Sequence, residues 1–87
     1  MKIKDGFMLR EIAGSWVVIP LGQRVVEFNG MISLNESSVL LWNKLEKGAT
    51  IDELVQAILS EYDIDEETAR ADVEEFVKLI KENYLLE

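Results

Sequence analysis

The sequence contains no cysteine and no histidine. Disulfide staples, thiol or imidazole nucleophile–base pairs, His-ligated haem and ordinary zinc sites are therefore excluded. Carboxylates are the only side chains left for metal work, and they favour hard cations. Basic residues are scarce: nine Lys and Arg stand against seventeen Asp and Glu, a formal net charge of −8. That balance opposes tight nucleic-acid binding, which needs concentrated positive charge for the phosphates. No apolar run approaches the roughly 20 residues that span a bilayer. Proline occurs once, at Pro20. What is present is an 87-residue chain that is 48% hydrophobic, enough for one small domain spanning 1–87. We expect a soluble cytoplasmic protein without a cofactor, too small and chemically plain for a self-sufficient enzyme.

Charge and pattern divide the chain into two layers. Residues 1–34 carry four basic and three acidic side chains; residues 35–87 carry five basic and fourteen acidic. The first part reads as strands. Phe7 to Ile12 alternates, with Phe7, Leu9 and Glu11 on one side and Met8, Arg10 and Ile12 on the other. Ala13-Gly14 makes a turn. Trp16 to Leu21 is an unbroken apolar run, the mark of a strand covered on both faces for part of its length. Arg24 to Phe28 is another strand signal, Asn29-Gly30 a hairpin dipeptide, and Met31 to Leu34 alternates again. This is an antiparallel meander of three strands, with either a fourth short piece or a bulge at Asn29-Gly30.

The second part reads as three helices. Asn35 is an N-cap, with Leu34 and Val39 at the staple positions. The first helix runs to about Glu46, with Leu41, Trp42 and Leu45 as its core stripe. Lys44 and Lys47 suit its last turn, and Gly48 stops it. Thr50 with Glu53 forms a capping box for the second helix, whose stripe is Ile51, Leu54, Val55, Ile58, Leu59 and Tyr62. The third starts near Asp63 or Asp65 and runs to about Tyr84. Its stripe is Ala69, Val73, Phe76, Val77, Ile80 and Tyr84, and Leu85-Leu86 packs back on the domain. A sheet followed by three closely spaced helices predicts an α+β domain of winged-helix-like character.

Asp63, Asp65, Glu67 and Glu74 can be laid on a calcium-loop template, but Thr68 occupies the position that needs glycine and the segment has helical periodicity. These acids fit a helix N-terminus better. A DNA-reading third helix would have to be basic, and this one carries seven acids against Arg70, Lys78 and Lys81. Two features remain. The strands at 24–28 and 31–34 lack an edge-blocking Pro or Lys, so an edge there can accept an extended peptide. One flank of the third helix mixes Asp72, Glu75, Phe76, Leu79 and Asn83, a composition suited to a groove wall.

Ile32-Ser33-Leu34-Asn35-Glu36-Ser37-Ser38 is followed by Leu41-Trp42 and Leu45, then Gly48, Thr50, Glu53-Leu54, Leu59 and Tyr62. With Asp72-Val73, Phe76 and Leu79, this ordered set resembles the PqqD-like family. Leu9-Arg10-Glu11-Ile12-Ala13-Gly14 and Val17-Val18-Ile19-Pro20 fit that family's first hairpin. The resemblance implies a non-catalytic recognition element of ribosomally synthesised, post-translationally modified peptide systems. Such domains take the leader segment of a precursor as an added strand between the third strand and the third helix. They present it to a modifying enzyme, often a radical S-adenosylmethionine enzyme. Carried onto this chain, the peptide-binding residues are Val25, Val26, Glu27, Phe28, Met31, Ile32, Ser33, Leu34, Asp72, Glu75, Phe76 and Leu79. Either 24–28 or 31–34 receives the peptide. The expected state is a monomer or weak homodimer, with no nucleic acid or membrane as partner. The rival readings are a winged-helix regulator contacting DNA or a transcription factor, and a structural subunit of a larger enzyme.

Overall fold

In a computed structural model of the chain, the described residues are 1–22 and 32–87. The expectations for Arg24 to Phe28, for Asn29-Gly30 and for Met31 lie outside them. Strands β1 (Phe7–Ile12) and β2 (Ser15–Pro20) form a hairpin closed by Ala13 and Gly14. Both turn residues have positive φ, 52° and 83°, the backbone that matches the twist of a two-residue hairpin. Strand β3 (Ile32–Leu34) pairs antiparallel with the other edge of β2, with Trp16 opposite Leu34 and Val18 opposite Ile32. The sheet order is β1-β2-β3.

Alternation along the strands sets the phase of the sheet. Val18, Ile32 and Leu34 enter the main core, with Phe7, Leu9 and Trp16 packed against it. Val17, on the opposite face of β2, is buried as well. The central strand is thus covered on both faces over Val17-Val18, as its unbroken apolar run predicts.

Helices α1 (Glu36–Lys47), α2 (Ile51–Glu61) and α3 (Glu66–Glu82) follow. Each start is fixed by a side-chain cap. Asn35 Oδ1 accepts from the Ser38 amide at 2.9 Å. Thr50 and Glu53 exchange both bonds of the capping box, at 2.9 and 3.1 Å. Asp65 Oδ1 accepts from the Thr68 amide at 2.7 Å, and hydrogen bonds from the Thr68 side chain and amide hold the Asp65 carboxyl below its ordinary value. Within the acidic stretch at 63–67, Asp65 therefore supplies the cap and Glu66 and Glu67 the first turn of α3. Leu41, Trp42 and Leu45 from α1, Leu54, Val55 and Ile58 from α2, and Ala69, Val73, Phe76 and Ile80 from α3 interleave into one core. Each large side chain contributes about 1.5–3 kcal/mol by leaving water. Trp42 Nε1 is buried without a hydrogen-bond partner among the described residues, which offsets about 1–3 kcal/mol of that gain. At the surface, Arg70 joins α3 to α2 through Asp52 at 3.0 Å and also approaches Glu66 at 3.5 Å. The hydrogen bond that Arg70 donates to Asp52 raises the Arg70 pKa further.

The end of α3 differs from the expected one. The helix stops at Glu82, and Tyr84 is not part of the core stripe: it has φ 60° and is 78% exposed. The Tyr84 amide donates to the Lys81 carbonyl and the Leu85 amide to the Ile80 carbonyl, both at 3.1 Å. These are the two bonds of a Schellman motif, with Tyr84 in the left-handed position that glycine usually takes. The reversal turns Leu85 into the core beside Ile80, fully buried. Ile3 then bridges Leu86, with the Lys4 amide on the Leu85 carbonyl and the Glu87 amide on the Lys2 carbonyl. On its other side the same segment bonds the end of α1, through Ile3 to Leu45 and Ala49 to Met1. Leu85 and Leu86 thus pack back on the domain as the sequence predicts. Among the described residues no helix is long and apolar enough to cross a membrane.

Candidate functional site

β3 is an end strand of the sheet, and among the described residues nothing pairs with its outer edge. A groove of about 520 Å³ lies between this strand and α3. β3 contributes Ser33 and Leu34, and the start of α1 contributes Asn35, Ser37, Ser38 and Leu41. Ile58 reaches it from α2. The far wall is α3, through Asp72, Glu75, Phe76, Lys78, Leu79 and Glu82.

The wall follows from helical spacing. Asp72, Glu75, Phe76, Leu79 and Glu82 recur at three- and four-residue steps and so share one face. That face adjoins the core stripe at Phe76, which is buried in the core and also lines the groove. Leu34, Leu41 and Ile58 are buried likewise and give the groove an apolar floor. Leu79 forms its lip and remains 38% exposed.

The polar groups are distributed unevenly. Asn35 is committed to its cap, accepting from the Ser38 amide and from Ser37 Oγ at 3.0 Å. On the opposite wall, Lys78 lies 4.0 Å from Glu82 in an exposed one-turn pair, a geometry of little energetic weight. Asp72 and Glu75 have no ion pair among the described residues. One bank is therefore lined by the uncharged polar side chains Asn35, Ser37 and Ser38, and the other, with three acids and one lysine, is net acidic.

Of the sequence-derived candidates, Ser33, Leu34, Asp72, Glu75, Phe76 and Leu79 come together around this groove. Ile32 is buried in the core and does not line it. Val25, Val26, Glu27, Phe28 and Met31 lie outside the described residues. Asn83 turns to the backbone instead, its side-chain amide donating to the Leu79 carbonyl at 2.8 Å. The sequence reading missed Asn35, Ser37, Ser38, Leu41, Ile58, Lys78 and Glu82 as lining residues. The α1 group was within reach of sequence reasoning, because a helix that starts directly after an edge strand must place its first turn beside that edge. Ile58 carried no such signal, since it sits in the middle of a core stripe.

An α+β domain with three antiparallel strands, three helices and a groove between the end strand and the last helix defines a winged-helix-like class. Within that class the chain belongs to the PqqD family: the model of Coenzyme PQQ synthesis protein D (PqqD) matches residues 15–86. Among solved structures it is similar to TbiB1 in complex with the TbiA(beta) leader peptide. That likeness has 30% identity and a TM-score of 0.77, covering 100% of this chain and 95% of that one. It also shares the fold of lasso peptide synthetase B1 complexed with the leader peptide, at 20% identity and a TM-score of 0.73, over 97% and 93% of the two chains. No curated protein sequence matches.

Proposed function

We propose that this protein binds the leader segment of a ribosomally made precursor peptide and presents it to a modifying enzyme, without performing chemistry itself. The leader adds as a strand along the outer edge of β3, under α3. The observation that carries this reading is the groove, which places a strand edge with no partner among the described residues beside an apolar floor. Main-chain bonds to an edge supply affinity and the pockets beside it supply side-chain preference. The similarity to TbiB1, which binds a leader peptide, supports it. Ser33, Leu34, Asp72, Glu75, Phe76 and Leu79 form the proposed contact set.

Residues 1–87 act as one recognition domain in the cytoplasm, and the receiving enzyme belongs, by family resemblance, to the radical S-adenosylmethionine class. A micromolar affinity, about −8 kcal/mol, is the expected scale. The regulatory alternative has no support in the acidic α3, which phosphate would repel; a gel shift at low salt should show no binding. The chain alone should be a monomer or weak dimer, because a free edge can also pair with its own copy.

The test is titration with the leader peptide of a precursor encoded beside the gene. Trp16 pairs with Leu34 across the sheet, so tryptophan fluorescence should respond, along with amide shifts in residues 32–34 and α3. If those residues stay silent with every neighbouring precursor, the reading fails.

A further inference from the structure

We propose that the groove selects a leader carrying a bulky apolar side chain and, two residues away on the same side, a Lys or Arg. The inference rests on the strand-addition reading above and specifies the peptide. In an added strand, side chains i and i+2 face the same way and stand about 6.6 Å apart. Ile32 and Leu34 turn toward the helices and Ser33 away from the core. Peptide side chains on Leu34's side therefore meet the floor and α3. On α3, Phe76 to Asp72 and Leu79 to Glu75 are each one four-residue step, about 6 Å along the axis. For a strand lying along the helix, the two repeats match. One side chain settles against Phe76 and Leu79 while its second neighbour reaches Asp72 and Glu75.

Charge fixes what the second position takes. Asp72 and Glu75 have no ion-pair partner among the described residues, whereas Glu82 already has Lys78 within 4.0 Å. The opposite bank, at the start of α1, lines the groove with Asn35, Ser37 and Ser38 and no carboxylate, so a Lys or Arg is steered to the α3 side. Pairs of this exposed kind set selectivity and association rate more than affinity.

The experiment selects binders to the full chain from an mRNA-displayed library of random 12-residue peptides. The winners are then synthesised and titrated against wild type, Asp72→Asn, Glu75→Gln and the double variant. These neutral, near-isosteric changes sit on an exposed helix face, and circular dichroism confirms that each variant is folded. Enrichment of apolar-x-Lys/Arg is expected. Affinity for a winner should fall about two- to fivefold per neutralised acid, and most of that factor should vanish at high salt. The Lys→Gln version of the same peptide should bind wild type and double variant alike. Binders without cation enrichment, or a cation whose removal costs the same on the double variant, overturn the inference and leave leader binding standing. No binders at all, together with a silent leader titration, removes the strand-addition reading and this inference with it.

Discussion

Tyr84 offers a sharp test of the way α3 is terminated. It occupies the left-handed position of a Schellman turn with φ 60° and is 78% exposed. A side chain with a Cβ pays about 1–2 kcal/mol in that conformation, and glycine does not. Against this, glycine gives the unfolded chain extra freedom, about 0.4–1 kcal/mol. Little of the tyrosine is buried, so truncating it loses on the order of 0.5 kcal/mol of apolar contact. Tyr84→Ala loses that contact and keeps the Cβ, while Tyr84→Gly loses the same contact and relieves the backbone. The glycine variant should therefore exceed the alanine variant by about 0.5–1 kcal/mol, roughly 2–8 °C in Tm for a chain of this size. Paired thermal melts followed by circular dichroism measure the difference. A glycine variant that melts at or below the alanine variant refutes the reasoning, and would mean that Tyr84 is not held left-handed when α3 ends.

Other perturbations report on other parts of the molecule. Leu79→Ala should weaken leader binding about two- to sixfold by isothermal titration, since burying the exposed 38% of this side chain is a fraction of the roughly 1.5–3 kcal/mol for a whole leucine; unchanged affinity would remove it from the contact set. Trp42→Phe should cost less in urea unfolding than Leu45→Ala, at about 2–5 kcal/mol, because it also removes a buried Nε1–H that has no partner among the described residues. Thr50→Ala should cost about 0.5–2 kcal/mol through loss of the capping box. On acidification, the lowered pKa of Asp65 makes its cap a source of stability above the ordinary aspartate value of 3.8. That contribution should be lost as pH falls through the lower folded-state value, and Asp65→Asn should flatten this part of the acid unfolding curve.

Much of this architecture was legible in the residues, for identifiable reasons. Helix starts declare themselves chemically: Asn35, Thr50 and Asp65 each have a side-chain oxygen at the right distance from an orphan amide, and all three serve as caps. The ending of α3 was not legible, because its left-handed residue is a tyrosine and periodicity alone carries the helix through it. The spacing of Ile80 and Leu85 held the missing signal, since five residues is the interval that a Schellman closure brings together. The groove was half legible. Its α3 wall follows from helical angles, but its floor combines residues from α1 and α2 that no local pattern connects. Asp72 and Glu75 could be placed on a flank from the sequence; that this flank faces the edge of β3 is a matter of tertiary packing.

The pairing of residues 2–4 with residues 85–87 has a mechanical consequence. The two segments run antiparallel, with Lys2 beside Glu87 and Lys4 beside Leu85. Tension applied between Met1 and Glu87 would load these hydrogen bonds one after another, as in opening a zipper, rather than all at once in shear. The domain should yield to pulling at this seam first, and the next element released would be Leu85, the plug that anchors the C-terminal end of α3. A load on the C-terminus would thus reach the groove wall through Leu85, while a load on the N-terminus would pass to the end of α1 and to β1.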